Sequence, residues 1–168
     1  MNKLEMRSMR LSAWGCVVFA LLGLMSNPVA AADKTILTLI HTSQGERVHK
    51  HYSYDDLLAF EQQVFTTNTP WTAGPNQYQG PKLTDVLEDA GMLGQKDLLM
   101  TALNRYTAEL KPHFTNLAVL VIQQDGQPMP VRNKGPVWVL LPLDDMPEEQ
   151  VQDNYLQMVW QLKSIEAR

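Results

Sequence analysis

The chain has 168 residues, 45% of them hydrophobic and 19% charged, with a formal net charge of −4 and one cysteine, Cys16. An acidic chain repels phosphate backbones, and no local basic cluster overrides that, which argues against nucleic acid as a partner. A lone cysteine rules out a disulfide framework, so stability must come from a hydrophobic core of the size that one domain buries.

The first 31 residues read as a secretory signal peptide. Lys3, Arg7 and Arg10 form a positive start, and Leu11 to Leu24 is apolar. That run is about 14 residues, short of the roughly 20 that span a bilayer. Asn27 and Pro28 break it, and small residues at 29–32 place cleavage after Ala31 or Ala32. Cys16 leaves with the leader, since Trp14 stands where a lipoprotein signal needs a small residue. The expected mature protein is a single periplasmic domain, residues 32–168, without cysteine. Taking three basic and one acidic residue from totals of 14 and 18 leaves it at net −6.

Within that domain, Thr35 to Ile40 reads as a strand, followed by turn residues at Ser43 to Gly45. His49-x-His51 would put two imidazoles on one strand face, a spacing that can bind zinc or copper, but no third ligand is nearby and a solvated strand edge is the plainer reading. Ser53 ahead of Asp55 and Asp56 predicts a helix N-cap. Gln63 to Thr67 predicts a strand, and Asn68 to Pro81 a turn-rich loop carrying Trp71 and Tyr78. Leu83, Val86, Leu87 and Ala90 fall at helical spacing, with Gly91 after them. Leu98 to Leu103 and Tyr106 to Leu110 predict strands around Asn104-Arg105. Leu117 to Ile122 predicts a buried strand ending at the hairpin signal Asp125-Gly126, and Val137 to Leu141 predicts another, stopped by Pro142. Asp144, Asp145, Glu148 and Glu149 read as a solvated acidic loop. In the tail, Tyr155, Met158, Val159 and Leu162 have helical spacing, yet Trp160, Leu162 and Ser164 fit one face of a strand. The sum is an α+β domain, strand-rich with a few short helices.

Several side chains stand out as candidates for binding. Arg132 and Lys134 beside Gly135 would let two cations and backbone N–H groups meet an anion; a solvated hairpin end is the alternative. Trp71 and Tyr78 could wall a pocket for a flat ring, whereas Trp138 sits in a strand and reads as core. Asn104 could face a ligand or hold its own turn. No phosphate loop, nucleophile motif or H-E-x-x-H is present.

Two stretches carry a family resemblance. Thr69-Pro70-Trp71-Thr72 with Tyr78 to Gly91 resembles the G-x-x-L-x-D-L-L-x-x-A-G segment of the sulfite oxidase type molybdopterin-binding domain. Asp125 to Met129, followed by Arg132 to Pro142, is similar to a downstream D-G-x-x-L and G-x-P-x-R-L-V-x-P segment of the same family. The nearest likeness is to its short, secreted, single-domain members, which share TPW, ALNxY and KGPxW elements. The resemblance implies an α+β, sulfite oxidase type fold whose cleft holds molybdopterin in the full enzymes. There a cysteine thiolate ligates the metal from a position that falls at Thr66 to Thr69 here, where threonines and an asparagine stand. A neutral hydroxyl or amide does not replace soft thiolate ligation. The expected function is therefore a non-catalytic module that binds a small anionic or planar ligand, or a periplasmic or membrane partner protein, in a sensory or accessory role. The alternative is a molybdopterin-dependent oxidoreductase, or its subunit, that holds the cofactor through Trp71, Tyr78, Asn104, Arg132, Lys134 and Gly135 with atypical ligation.

Overall fold

Alternation of buried and exposed side chains sets the first strand, β1 (Leu37–Ser43), where Leu37 and Leu39 point into the core and Thr38 and Ile40 remain partly exposed. This comes from a computed structural model that describes residues 34–168, all within one compact unit, Ala32–Arg168. The expected leader and Cys16 lie outside the described residues. Gln44-Gly45, both at positive φ, turn the chain into β2 (Glu46–Tyr52), an edge strand exposed along its length except at Tyr52. Charged side chains on such an edge discourage pairing with another chain. His49 and His51 lie on it, their rings 6.3 Å apart, and no metal-binding cluster of His, Cys, Asp or Glu exists among the described residues.

Ser53 begins helix α1 (Tyr54–Leu58) with a full capping box: its hydroxyl accepts from the Asp56 N–H, and the Asp56 carboxylate accepts from the Ser53 N–H. β3 (Gln62–Thr67) then pairs with β4 (Asn76–Pro81). The second half of the expected Asn68–Pro81 loop is thus a strand. Its few apolar residues hide it from pattern reading, because Tyr78 alone supplies bulk to the buried face, while Gly80 lets the backbone close in. A Cβ at Gly80 would sit 2.0 Å from the Leu120 carbonyl oxygen. Helix α2 (Leu83–Asp89) follows as expected, burying Leu83, Val86 and Leu87.

β5 (Leu98–Ala102) and β6 (Thr107–Leu110) pair around the Asn104-Arg105 turn. After the short helix α3 (Pro112–Thr115) comes the buried strand β7 (Val119–Val121), then β8 (Gln123–Gln124) and β9 (Gln127–Pro128) joined at Asp125-Gly126. Both hairpin residues have positive φ, the geometry that Asp-Gly accommodates. β10 (Trp138–Leu140) pairs with β7. The stretch after Pro142 is not a loop throughout: a 3-10 turn at Leu143–Asp145 leads into helix α4 (Glu148–Asn154). α4 lacks apolar periodicity, which is why the sequence hides it.

The tail resolves into a 3-10 turn at Tyr155–Gln157 and strand β11 (Leu162–Ala167). Its ambiguity has a physical source. The pairing of β11 with β5 slips between Leu162 and Ser164, so Leu162 and Ile165, three apart, both face inward. β11 runs parallel to β1, giving a five-stranded sheet β2-β1-β11-β5-β6, beside the four-stranded β3-β4-β8-β9 and the pair β10-β7. Trp138, Tyr78 and Phe114 are the largest side chains fully inside. No helix among the described residues is long and apolar enough to cross a membrane.

Candidate functional site

Three of the residues singled out by sequence, Trp71, Tyr78 and Lys134, meet at one ring, and that ring is in the core. Trp138 is fully buried on β10, with its indole N–H donating to the Met158 carbonyl at 3.3 Å. Trp71 packs edge-to-face on it at 5.9 Å, Tyr78 does so at 5.6 Å, and the Lys134 ammonium lies 5.7 Å from its ring centre. Tyr78 is wholly inside β4, so its ring stabilises the interior and does not wall a pocket. Arg132 is exposed in a 3-10 turn, Val131–Asn133, that ends at Lys134 in a left-handed conformation. Gly135 is buried, and a Cβ there would meet the Met129 carbonyl oxygen at 2.1 Å. A close approach of two backbone segments therefore accounts for the glycine without an anion.

A cavity of about 290 Å³ opens beside this cluster, lined by Trp71 and Asn104 together with Tyr106, Tyr155, Leu156 and Trp160, among others. Tyr78, Arg132, Lys134 and Gly135 do not line it. Trp71 stands nearly perpendicular to Tyr155 (77°, 5.4 Å) and to Trp160 (81°, 5.6 Å). Asn104 holds its own turn, its side-chain oxygen accepting from the Tyr106 N–H at 2.9 Å, and it also reaches the cavity. The Tyr106 hydroxyl donates to the Leu156 carbonyl at 3.0 Å, tying the β5–β6 turn to the 3-10 turn at Tyr155–Gln157. Tyr106 and Leu156, which line the cavity, are exposed. Tyr155 and Trp160 were legible only as an irregular tail, because a 3-10 turn and a bulge erase both regular periods there. No carboxylate, imidazole, thiol or amine lines the cavity. The ionisable groups with shifted protonation lie outside it. Burial and the Asp89 carboxylate push the Tyr52 hydroxyl up, and the hydrogen bond from Tyr52, at 2.6 Å, holds Asp89 below the usual carboxylate range. Asp56 is lowered chiefly by the Ser53 N–H of the capping box.

The loop after β3 is pinned by Asp144. That carboxylate accepts from the Asn68 backbone N–H at 2.9 Å and from its side-chain amide at 3.0 Å, while the buried Thr67 hydroxyl accepts from the Asp144 N–H at 3.0 Å. The Thr69 hydroxyl is bonded to that of Thr72 at 2.7 Å. A second, more open cavity of about 390 Å³ lies here, lined by Asn68, Thr69, Asp144, Glu148 and Tyr155 among others.

No protein family pattern and no curated protein matches the sequence. Among solved structures, the chain is similar to the sulfane dehydrogenase SoxCD from Paracoccus pantotrophus, with a TM-score of 0.54 and 14% identity over 92% of this chain. The fold is of the sulfite oxidase type. At that identity the likeness shows the fold alone, and the chain spans 56% of the length of the SoxCD chain. The residues present do not fit the molybdenum cofactor of such a fold. The hydroxyls of Thr67 and Thr69 and the amide of Asn68 are engaged in hydrogen bonds within the protein, and no thiolate stands among them. Neither cavity is lined by an Arg or Lys to meet an anionic pterin, and Asp144 and Glu148 would repel one.

Proposed function

We propose that this chain is a non-catalytic binding module of the sulfite oxidase type fold, exported to the periplasm and serving a sensory or accessory role. The aromatic cavity around Trp71 carries this reading. Rings offer large contact area at low entropy cost, and a wall without carboxylate, imidazole, thiol or amine supports binding over turnover. The alternative, an oxidoreductase with atypical ligation, would require a donor set at Thr66 to Thr69, where the side chains of Thr67, Asn68 and Thr69 are already committed to Asp144 and Thr72. The test is an assay of sulfite and sulfoxide turnover on protein purified from the periplasm without refolding. No turnover above the solvent rate is expected, and saturable turnover would overturn the reading.

A further inference from the structure

The chemistry of the cavity wall narrows what it can hold. Trp71, Tyr155 and Trp160 present rings at near right angles, joined by Tyr106 at the mouth. Rings packed edge-to-face at these spacings line adjoining sides of the cavity, and an aromatic face carries the negative lobe of its quadrupole. Six acceptors of the wall are already in use. The carbonyl of Ala102 accepts from Arg105, that of Tyr155 from Met158, that of Met158 from Trp138 and that of Val159 from Val139. The Leu156 carbonyl and the Asn104 side-chain oxygen both accept from Tyr106. A guest rich in N–H or O–H donors would find few free acceptors there to replace its lost hydration. A cation whose charged centre carries no N–H would not need them.

The charges agree with that choice. No Lys or Arg lines the cavity; Arg105, in the adjacent turn, is exposed and is not part of the wall. The neighbouring cavity, which shares Tyr155, contributes Asp144 and Glu148. The aromatic cluster already accepts one cation, the Lys134 ammonium over Trp138. A volume of about 290 Å³ is at the small end for ligand sites and suits a head group better than an extended molecule.

We propose that the cavity binds a small quaternary ammonium ion, a fully N-alkylated cation of the choline kind. The proposal rests on the binding-module reading above and adds the class of ligand. The experiment is a titration of the exported protein, followed by tryptophan fluorescence at constant ionic strength, with choline chloride and with its neutral isostere 3,3-dimethylbutan-1-ol. Choline should saturate with a dissociation constant of about 1 mM or tighter, and the alcohol should bind about tenfold more weakly. The fold should survive replacement of the half-exposed Tyr106, so Tyr106→Leu should weaken choline severalfold without changing the alcohol, and Tyr106→Phe should retain choline. Phosphatidylcholine and phosphatidylglycerol vesicles distinguish the source: selective co-sedimentation with phosphatidylcholine assigns the head group to a lipid, and response to free choline alone assigns a solute. Equal binding of choline and the alcohol would overturn the cation while leaving an apolar binding module. Saturation by neither molecule, with no selective vesicle binding, would overturn both.

Discussion

Asp89 shows how much one hydroxyl can set. Its carboxylate accepts from Tyr52 at 2.6 Å and lies 3.1 Å from the Lys50 ammonium, and its proton affinity falls accordingly. A carboxylate lowered in the folded state adds stability that is present above its unfolded value, about pH 4, and is lost as pH falls through the folded value. Tyr52 is raised, so its contribution is complete below about pH 10 and declines above it as the hydroxyl ionises. Tyr52→Phe should therefore lower stability at pH 7 and shrink the loss between pH 5 and pH 2, as read from urea unfolding at several pH values. An unchanged acid slope would show that Asp89 is set by Lys50 instead. Much at this scale was legible in the sequence: Ser53 with Asp56, and Asp125-Gly126, act through neighbours in the chain, so local pattern finds them. Tyr78 and Gly135 were not, because whether a ring faces a pocket or a glycine faces a ligand depends on β7, β10 and Met129, brought close only by folding.

At the scale of elements, contacts from far along the chain hold the loop after β3 in place. Asn68 and Thr67 are clamped by Asp144 from the 3-10 turn after Pro142, a link between residues more than 70 apart in sequence. Asp144→Ala removes both bonds from Asn68. Because the carboxylate is exposed, the cost should be about 1 kcal/mol, below the usual range for hydrogen bonds to a charged group. Urea unfolding measures it, and easier acrylamide quenching of Trp71 should accompany it. No change in either would show the clamp to be incidental. The strands with alternating or continuous apolar residues, β1, β5, β7 and β10, and helix α2 were all legible. β4 and α4 were not, since polar side chains fill their exposed faces and only sheet pairing or tertiary packing makes them regular. The irregular tail hid the most, and it supplies two of the four cavity rings.

For the whole molecule, the α+β, sulfite oxidase type architecture read from the motifs around Gly80–Gly91 and Asp125–Pro142 is the architecture found, and the SoxCD likeness covers 92% of the chain. The scaffold is shared with SoxCD, while a hydrogen-bonded clamp holds the loop after β3 and a concave aromatic surface stands beside it. The candidate cavity was only partly legible: Trp71 and Asn104 line it, while Tyr78, Arg132, Lys134 and Gly135 do not, Lys134 lying over Trp138 instead. The most direct test of the central claim is the molybdenum content of protein purified from the periplasm without refolding, by elemental analysis against protein concentration. A chain whose loop offers Thr67, Asn68 and Thr69 in place of a thiolate should carry no stoichiometric molybdenum. One molybdenum per chain would contradict the account and make this an enzyme with another ligand in that place.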